Sequence, residues 1–235
     1  MNSAISEART GWAEAARDFA WSHPEWWTAG LGGAAWCAVL WHGWRHAGHR
    51  MGFATEWTHW VLMVTAMMFP LLREPVEAAA SGSLWGRRNR AIGLFLLGYL
   101  GIWAALGGMV AWMRAFRWAG GDAAAAGGFL VAALWLLTPW HRRGMMGCHR
   151  RVPLAPMGWK ADWDCLRFGG LIGGACVRSC FPVMFACALA GHGVLAMGAG
   201  AAAAIFERCY FRPKLREAGA VLIAAALIYV AMAFR

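Results

Sequence analysis

Apolar residues fill seven stretches of the chain, and short segments rich in charged residues or glycine separate them. Most of the stretches approach the ~20 residues that a helix needs to cross a bilayer. The pattern therefore predicts an all-α fold, a polytopic transmembrane helical bundle of about seven spans, or six if the short sixth stretch does not cross. The predicted spans are residues 26–44, 55–72, 91–113, 123–140, 166–190, 193–206 and 217–234.

Composition favours one membrane domain. Hydrophobic residues make up 60% of the chain and charged residues 14%, whereas soluble domains carry about 25% charged residues. We predict a polar cytoplasmic N-terminal segment over residues 1–25 and a single transmembrane helical domain over residues 26–235. The net charge is +10, but the basic residues lie in the short segments between apolar stretches, as membrane orientation requires. The lipid bilayer is therefore an expected partner, and nucleic acid is not.

The distribution of basic residues also predicts the orientation. The N-terminal segment and the segments 73–90, 141–165 and 207–216 together hold 15 basic residues, and the opposite side holds 5. The side with the excess faces the cytoplasm in membrane proteins. We therefore expect a cytoplasmic N-terminus and an external C-terminus.

The fifth stretch carries soft donors on one side. At about 100° per residue, that side collects Cys165, Cys176, Cys180 and Cys187, with Met184 close by. Gly169 and Gly173 share it, in the small-xxx-small spacing that lets membrane helices approach closely. Pro182 frees the carbonyl of Arg178 and predicts a kink. An arginine at this depth needs a partner or water, and the nearest candidate acids are Glu56 and Glu207.

The second stretch has a matching stripe. One helical face carries Glu56, His59, Met63, Met67 and Pro70, and the neighbouring Met68 points the other way. Pro70 cannot donate a backbone hydrogen bond, so it interrupts the helix. We expect this face to meet the cysteine face of the fifth stretch at the same depth.

Thiolate and thioether sulfur select soft ions, copper(I) first among them, and imidazole also suits copper. The predicted cytoplasmic loop adds a cysteine and a histidine. The chain is thus expected to bind and handle copper(I), by transport or by exchange with a metal-donating or metal-receiving protein. The predicted ligands are Cys176, Cys180, Met184, Met63, Met67, His59, Cys148 and His149.

Two other interpretations stay open. Cysteine and methionine also pack as ordinary apolar side chains, which would make the chain an accessory or structural subunit without a ligand. His59 with a second histidine, His42 or His192, would suit a haem-binding redox protein. No enzyme is expected, because no nucleophile–base pair or paired carboxylate lies in the apolar stretches.

Several motifs resemble a known family. Residues 60–70 are similar to the signature Trp-x-x-Met-x-x-Ala-Met-Met-x-Pro. Cys176, Cys180 and Met184 match a later signature, Cys-x-Gly-Cys-Cys-Trp-x-x-Met, in which Arg178 replaces the glycine and Ser179 a cysteine. Over about residues 55–210 the chain thus resembles a bacterial family, domain of unknown function 2182, described as predicted metal-binding integral membrane proteins.

The resemblance has two further parts. In a cytoplasmic Cys-x-x-Cys-Arg signature, Met145 stands at the first cysteine, Cys148 matches the second and His149 replaces the arginine. Glu207 and Arg208 resemble an acidic–basic pair that closes the family's core. The resemblance implies metal binding by a multi-pass protein of the bacterial inner (plasma) membrane.

Overall fold

The computed structural model describes residues 11–12, 14–15, 18–19, 22–23, 25–45, 52–115, 120–208 and 214–234, and within these residues it is helical without a β-strand. This confirms the all-α prediction. The main helices are α1 (Trp26–Arg45), α2 (Phe53–Met68), α3 (Arg73–Ser81), α4 (Arg88–Ala115), α5 (Asp122–Trp135), α6 (Pro139–Cys148), α7 (Gly158–Leu189), α8 (Val194–Arg208) and α9 (Leu215–Ala233).

Each predicted span overlaps at least one of these helices, but not all of the helices are long and apolar enough to cross a bilayer. Among the described residues, the helices of sufficient length and hydropathy cover Trp85–Arg114, Gly158–Leu189 and Leu215–Ala233. The bent pair α5–α6 would provide a fourth crossing if its two parts act together. The predicted number of seven spans is therefore approximate.

The fourth predicted span was drawn too long. Residues 123–140 were expected to form one helix, but α5 ends at Trp135 and α6 begins at Pro139, with a bend of 77° between them. Thr138 caps α6 by accepting a hydrogen bond from the His141 backbone N–H at 3.2 Å. Part of the expected loop 141–165 is therefore a helix, and it packs against α7.

The glycine face of α7 packs on α4, not on α2 as expected. A Cβ placed on Gly169 would overlap the Phe95 carbonyl, and one placed on Gly98 would overlap the Leu166 carbonyl. Backbones approach this closely only where side chains are absent. The glycine spacing thus predicted a helix contact correctly but not which helix supplies it.

The two prolines behave differently. The α-helix α2 ends at Met68, and a 3-10 turn follows over Phe69–Leu72 with Pro70 at its start. By contrast, α7 continues through Pro182. The carbonyl of Arg178 that Pro182 frees accepts a hydrogen bond from Trp135 Nε1 at 2.8 Å. The Arg178 side chain is exposed.

Candidate metal centre

Three cysteine thiols and one serine hydroxyl surround the guanidinium group of Arg208. The Nη2 atom of Arg208 lies 3.4 Å from Cys148 Sγ and 3.2 Å from Cys176 Sγ, Ser179 Oγ and Cys180 Sγ. We call Cys148, Cys176, Ser179 and Cys180 the sulfur cage. All four side chains are buried. The cage joins the end of α6, the middle of α7 and the end of α8.

Arg208 fills the cage rather than bonding to every member of it. A terminal guanidinium nitrogen carries two N–H groups, so it cannot donate to four acceptors at the same time. The Nε atom of Arg208 is buried without a hydrogen-bond partner. The positively charged Nη2 therefore lies at the point from which all three thiols can be reached.

Two further side chains contact the cage. Tyr99 of α4 donates its hydroxyl proton to Cys176 Sγ over 3.1 Å, and Met68 Sδ lies 3.8 Å from the same sulfur. Met68 was expected to point away from the cysteines, and this expectation was wrong. A helical wheel gives the side of a helix but not its neighbours. Met68 is the last residue of α2, next to the 3-10 turn, and its side chain contacts α7 from there.

Close packing of α6 on α7 brings Cys148 to the cage. A Cβ on Gly144 would lie 2.8 Å from the Ser179 backbone nitrogen and 3.0 Å from the Ala175 carbonyl oxygen. A Cβ on Gly147 would lie 2.8 Å from the Ala175 Cβ. These two glycines let the short helix lie against α7. Cys148, one residue further on, then faces Cys176 and Cys180.

A buried histidine and a buried glutamate lie beside the cage. His141 Nδ1 is 3.3 Å from the Ser179 carbonyl oxygen, and His141 Nε2 is 3.6 Å from Glu207 Oε2. Glu207 precedes Arg208 on α8. Glu207 therefore faces His141. The expectation that Glu207 could pair with Arg178 was wrong. The other candidate acid, Glu56, pairs with Arg114 at 2.9 Å.

The remaining predicted ligands are not among the side chains that contact Arg208 Nη2. Met63, Met67 and Met184 are buried in the apolar core, and the Cβ position of Gly200 lies 2.8 Å from Met67 Cε and 3.0 Å from Cys187 Sγ. His149 follows Cys148 but is exposed, with Nδ1 3.1 Å from Glu74 Oε2. The metal-binding roles of these residues stay predictions.

A second polar cluster lies at the other end of α2. The rings of His59 and His192 are 6.0 Å apart between centroids. His192 Nδ1 is 3.9 Å from Glu56 Oε2, too far for a hydrogen bond. Burial, and then the charge of Arg114, lower the pKa of His192 to about 3. This ring is therefore neutral at neutral pH, and its contact with Glu56 is not an ion pair.

A cavity of about 290 Å³ opens beside the sulfur cage. Cys148 and Arg208 line it, together with Pro70, Glu74 and His149. Glu74 and His149 are exposed. The cavity thus connects one thiol of the cage and the guanidinium group to the protein surface.

Within the described part of the chain, no group of three or more His, Cys, Asp or Glu side chains has metal-holding geometry. The thiols of the cage are too far apart to bind a metal ion as they stand, because Arg208 lies between them. They lie 3.2–3.4 Å from the Arg208 nitrogen, whereas metal–sulfur bonds are about 2.3 Å long. An ion at the position of this nitrogen would require the three sulfurs to move inward by about 1 Å.

Comparison with known proteins bears on which ion this would be. A family model described as a copper chaperone, PpoB2, matches residues 57–232, a range that includes the whole cage. The chain belongs to the PpoB2 copper-chaperone family. Membership of PpoB2 confirms the prediction of copper handling at the level of the family, and it implies a protein that exchanges copper with the chain. No curated protein and no solved structure matches the chain.

Sequence reasoning found Cys176 and Cys180 on one face of α7 and Cys148 in the predicted cytoplasmic loop, but it missed their assembly around Arg208. Tyr99 was missed altogether, although a buried tyrosine hydroxyl needs a hydrogen-bond partner. Thr138 followed by Pro139 is a usual helix start, and it would have revealed α6. No sequence signal indicates that a guanidinium group lies among the thiols.

Proposed function

We propose that the chain is an integral membrane copper(I) chaperone that binds its ion with Cys148, Cys176 and Cys180. The observation that carries this proposal is the convergence of the three buried thiols on one point. Sulfur ligands select copper(I) among the common metal ions. A family of copper chaperones supplies the independent support for copper as the cargo.

Arg208 holds the place of the ion while copper is absent. The guanidinium group and copper(I) each carry one positive charge, but copper(I) binds thiolate, so each thiol that becomes a ligand releases its proton to solvent. Copper(I) and the nearby guanidinium group together compensate most of the thiolate charge, which matters because an uncompensated charge is costly to bury. On loading, the Arg208 side chain moves into the cavity that it already lines, and the three sulfurs close on the ion.

The same cavity provides the route to a partner protein. Cys148 is the member of the cage that lines it, and His149 and Glu74 stand at its exposed side. A partner that offers its own sulfur ligands there would reach copper through Cys148. Copper would then pass by exchange of ligands, one at a time. We infer no catalytic step, only binding and transfer.

Membrane integration is supported by the outer surface of the helices. Large apolar side chains are exposed along the helices that are long and apolar enough to cross a bilayer, including Leu97 at 62% and Leu227 at 62%. Exposed apolar surface of this extent marks a membrane or a partner protein. The lipid bilayer of the bacterial inner membrane is the environment that we propose, with the chain crossing it several times.

The function is tested by copper(I) titration of detergent-purified protein against a chromogenic copper(I) chelator. The double variant Cys176→Ser, Cys180→Ser removes two of the three cage thiols. We expect its affinity for the cage-bound copper to fall at least 100-fold, because serine is a hard ligand that does not replace thiolate sulfur.

The matched control is the double variant Cys165→Ser, Cys187→Ser. These two cysteines belong to the same helix and are buried as well, but neither is a member of the cage. We expect unchanged copper binding in the control. Equal losses in the two double variants, or none in either, would refute the proposed site and favour an accessory subunit without a ligand.

A further inference from the structure

A pair of buried histidines lies at the end of the bundle remote from the sulfur cage. His59 of α2 is 8% exposed, and the side chain of His192 is 8% exposed in the turn between α7 and α8. His59 precedes Met68 by nine residues, which is about 13 Å along a helix. Met68 contacts the cage, so the two regions are well separated.

One nitrogen of this pair has no partner. His192 Nε2 is buried and makes no hydrogen bond, and a buried polar atom of this kind calls for an explanation. The other nitrogen of the ring faces Glu56, whose carboxylate is already bound by Arg114 at 2.9 Å. The unpartnered nitrogen is thus left available as an electron-pair donor.

The backbone of His192 is also unusual. Its φ angle is 59°, in the left-handed region, and it is the positive-φ non-glycine residue among those described. Glycine would adopt this conformation at less cost. Residues in sparsely populated backbone regions cluster at active sites and ligand clamps, although histidine adopts a positive φ more readily than most residues. Here it holds the imidazole ring next to that of His59.

We propose that His59 and His192 form a second, two-coordinate copper(I) site. An ion ~2.0 Å from one nitrogen of each ring would put the ring centres about 6 Å apart, and the observed distance is 6.0 Å. Zinc takes four ligands in its structural sites, whereas the carboxylate nearest to the pair, Glu56, is already bound by Arg114. Low-coordinate copper(I) is therefore the ion that fits.

The position suggests what the second site does. Met63 and Met67 follow His59 on the same face of α2, one helical turn apart, and both are buried. Thioether sulfur binds copper(I). The histidine pair would therefore accept copper at one end of α2, and the methionines would lead it towards the cage. This role rests on the proposed function, but the existence of the site does not.

The test counts copper(I) bound to purified protein and identifies its ligands by X-ray absorption. We expect two equivalents in the wild type and one in His192→Asn. Asparagine tolerates the left-handed conformation but is too short to reach His59. The matched control, His149→Asn, alters an exposed histidine and should keep two. His59→Gln should behave like His192→Asn.

A triple variant, Cys148→Ser, Cys176→Ser, Cys180→Ser, separates this inference from the proposed function. We expect it to retain one copper with two nitrogen neighbours at ~2.0 Å and no sulfur. This spectrum also decides the matter if the histidine variants fold poorly. Retention of no copper, or of copper bound by sulfur, would overturn the second site. Retention of two equivalents would instead overturn the sulfur cage.

Discussion

Arg208 is the residue on which the chemistry of the sulfur cage depends. Its Nη2 atom contacts all members of the cage, and its side chain also borders a cavity that reaches the surface. A buried guanidinium group is costly unless negative charge or strong acceptors surround it. Polarisable thiols and the hydroxyl of Ser179 supply those acceptors. The cage is thus stabilised by a cation even without copper.

This arrangement predicts that Arg208→Gln binds copper(I) more tightly. In the wild type, copper must displace contacts between a charged donor and sulfur, whereas glutamine is neutral and competes less. We expect the affinity to rise about tenfold, which corresponds to ~1.4 kcal/mol. The measurement is a chelator competition, with both proteins at the same pH because copper(I) binding releases thiol protons.

Arg178→Gln is the matched control, because Arg178 lies on α7 but its side chain is exposed. Its copper affinity should equal that of the wild type. A weaker affinity in Arg208→Gln than in this control would show that the guanidinium group supports the loaded cage instead of holding the place of the ion.

At the scale of elements, the short helix α6 completes the cage. Cys176 and Cys180 belong to a helix that would exist without α6, but Cys148 depends on the contact of Gly144 and Gly147 with α7. A side chain at Gly144 would press on the backbone of α7, which cannot yield as a flexible side chain would. Overpacking of this kind typically costs 1–3 kcal/mol.

We therefore predict that Gly144→Ala weakens copper(I) binding about tenfold, because α6 must move away from α7 and carry Cys148 with it. The control is Gly174→Ala on α7, where an added Cβ would meet no atom within 4 Å. Chelator competition on both variants measures the difference. If Gly144→Ala binds copper as tightly as Gly174→Ala, Cys148 is not a ligand.

The sequence predicted the long helices well because long apolar runs have few alternatives to a helix. It predicted α6 poorly because this helix is short and polar, and its position depends on packing against α7. The same reason explains the cage. Cys148, Cys176 and Arg208 are separated by 28 to 60 residues along the chain. Helical periodicity describes the faces of one helix and does not predict contacts between helices.

At the scale of the whole molecule, the two proposed copper sites are separated along α2. The histidine pair lies beside the N-terminal half of the helix, at His59, and the cage is contacted by its last residue, Met68. The excess of basic residues in the segments 73–90 and 207–216 predicts that the cage end faces the cytoplasm. With this orientation, we propose that copper travels from outside to inside.

This orientation is tested with single cysteines placed in an otherwise cysteine-free chain. Gly52 precedes α2, Ser81 ends α3, and both are exposed. We expect a membrane-impermeant maleimide to label Gly52→Cys in intact spheroplasts and Ser81→Cys only after lysis. The opposite labelling would put the cavity beside Cys148 outside. Copper would then pass from the cage to an external partner, and the histidine pair could not be the site of uptake from outside the cell.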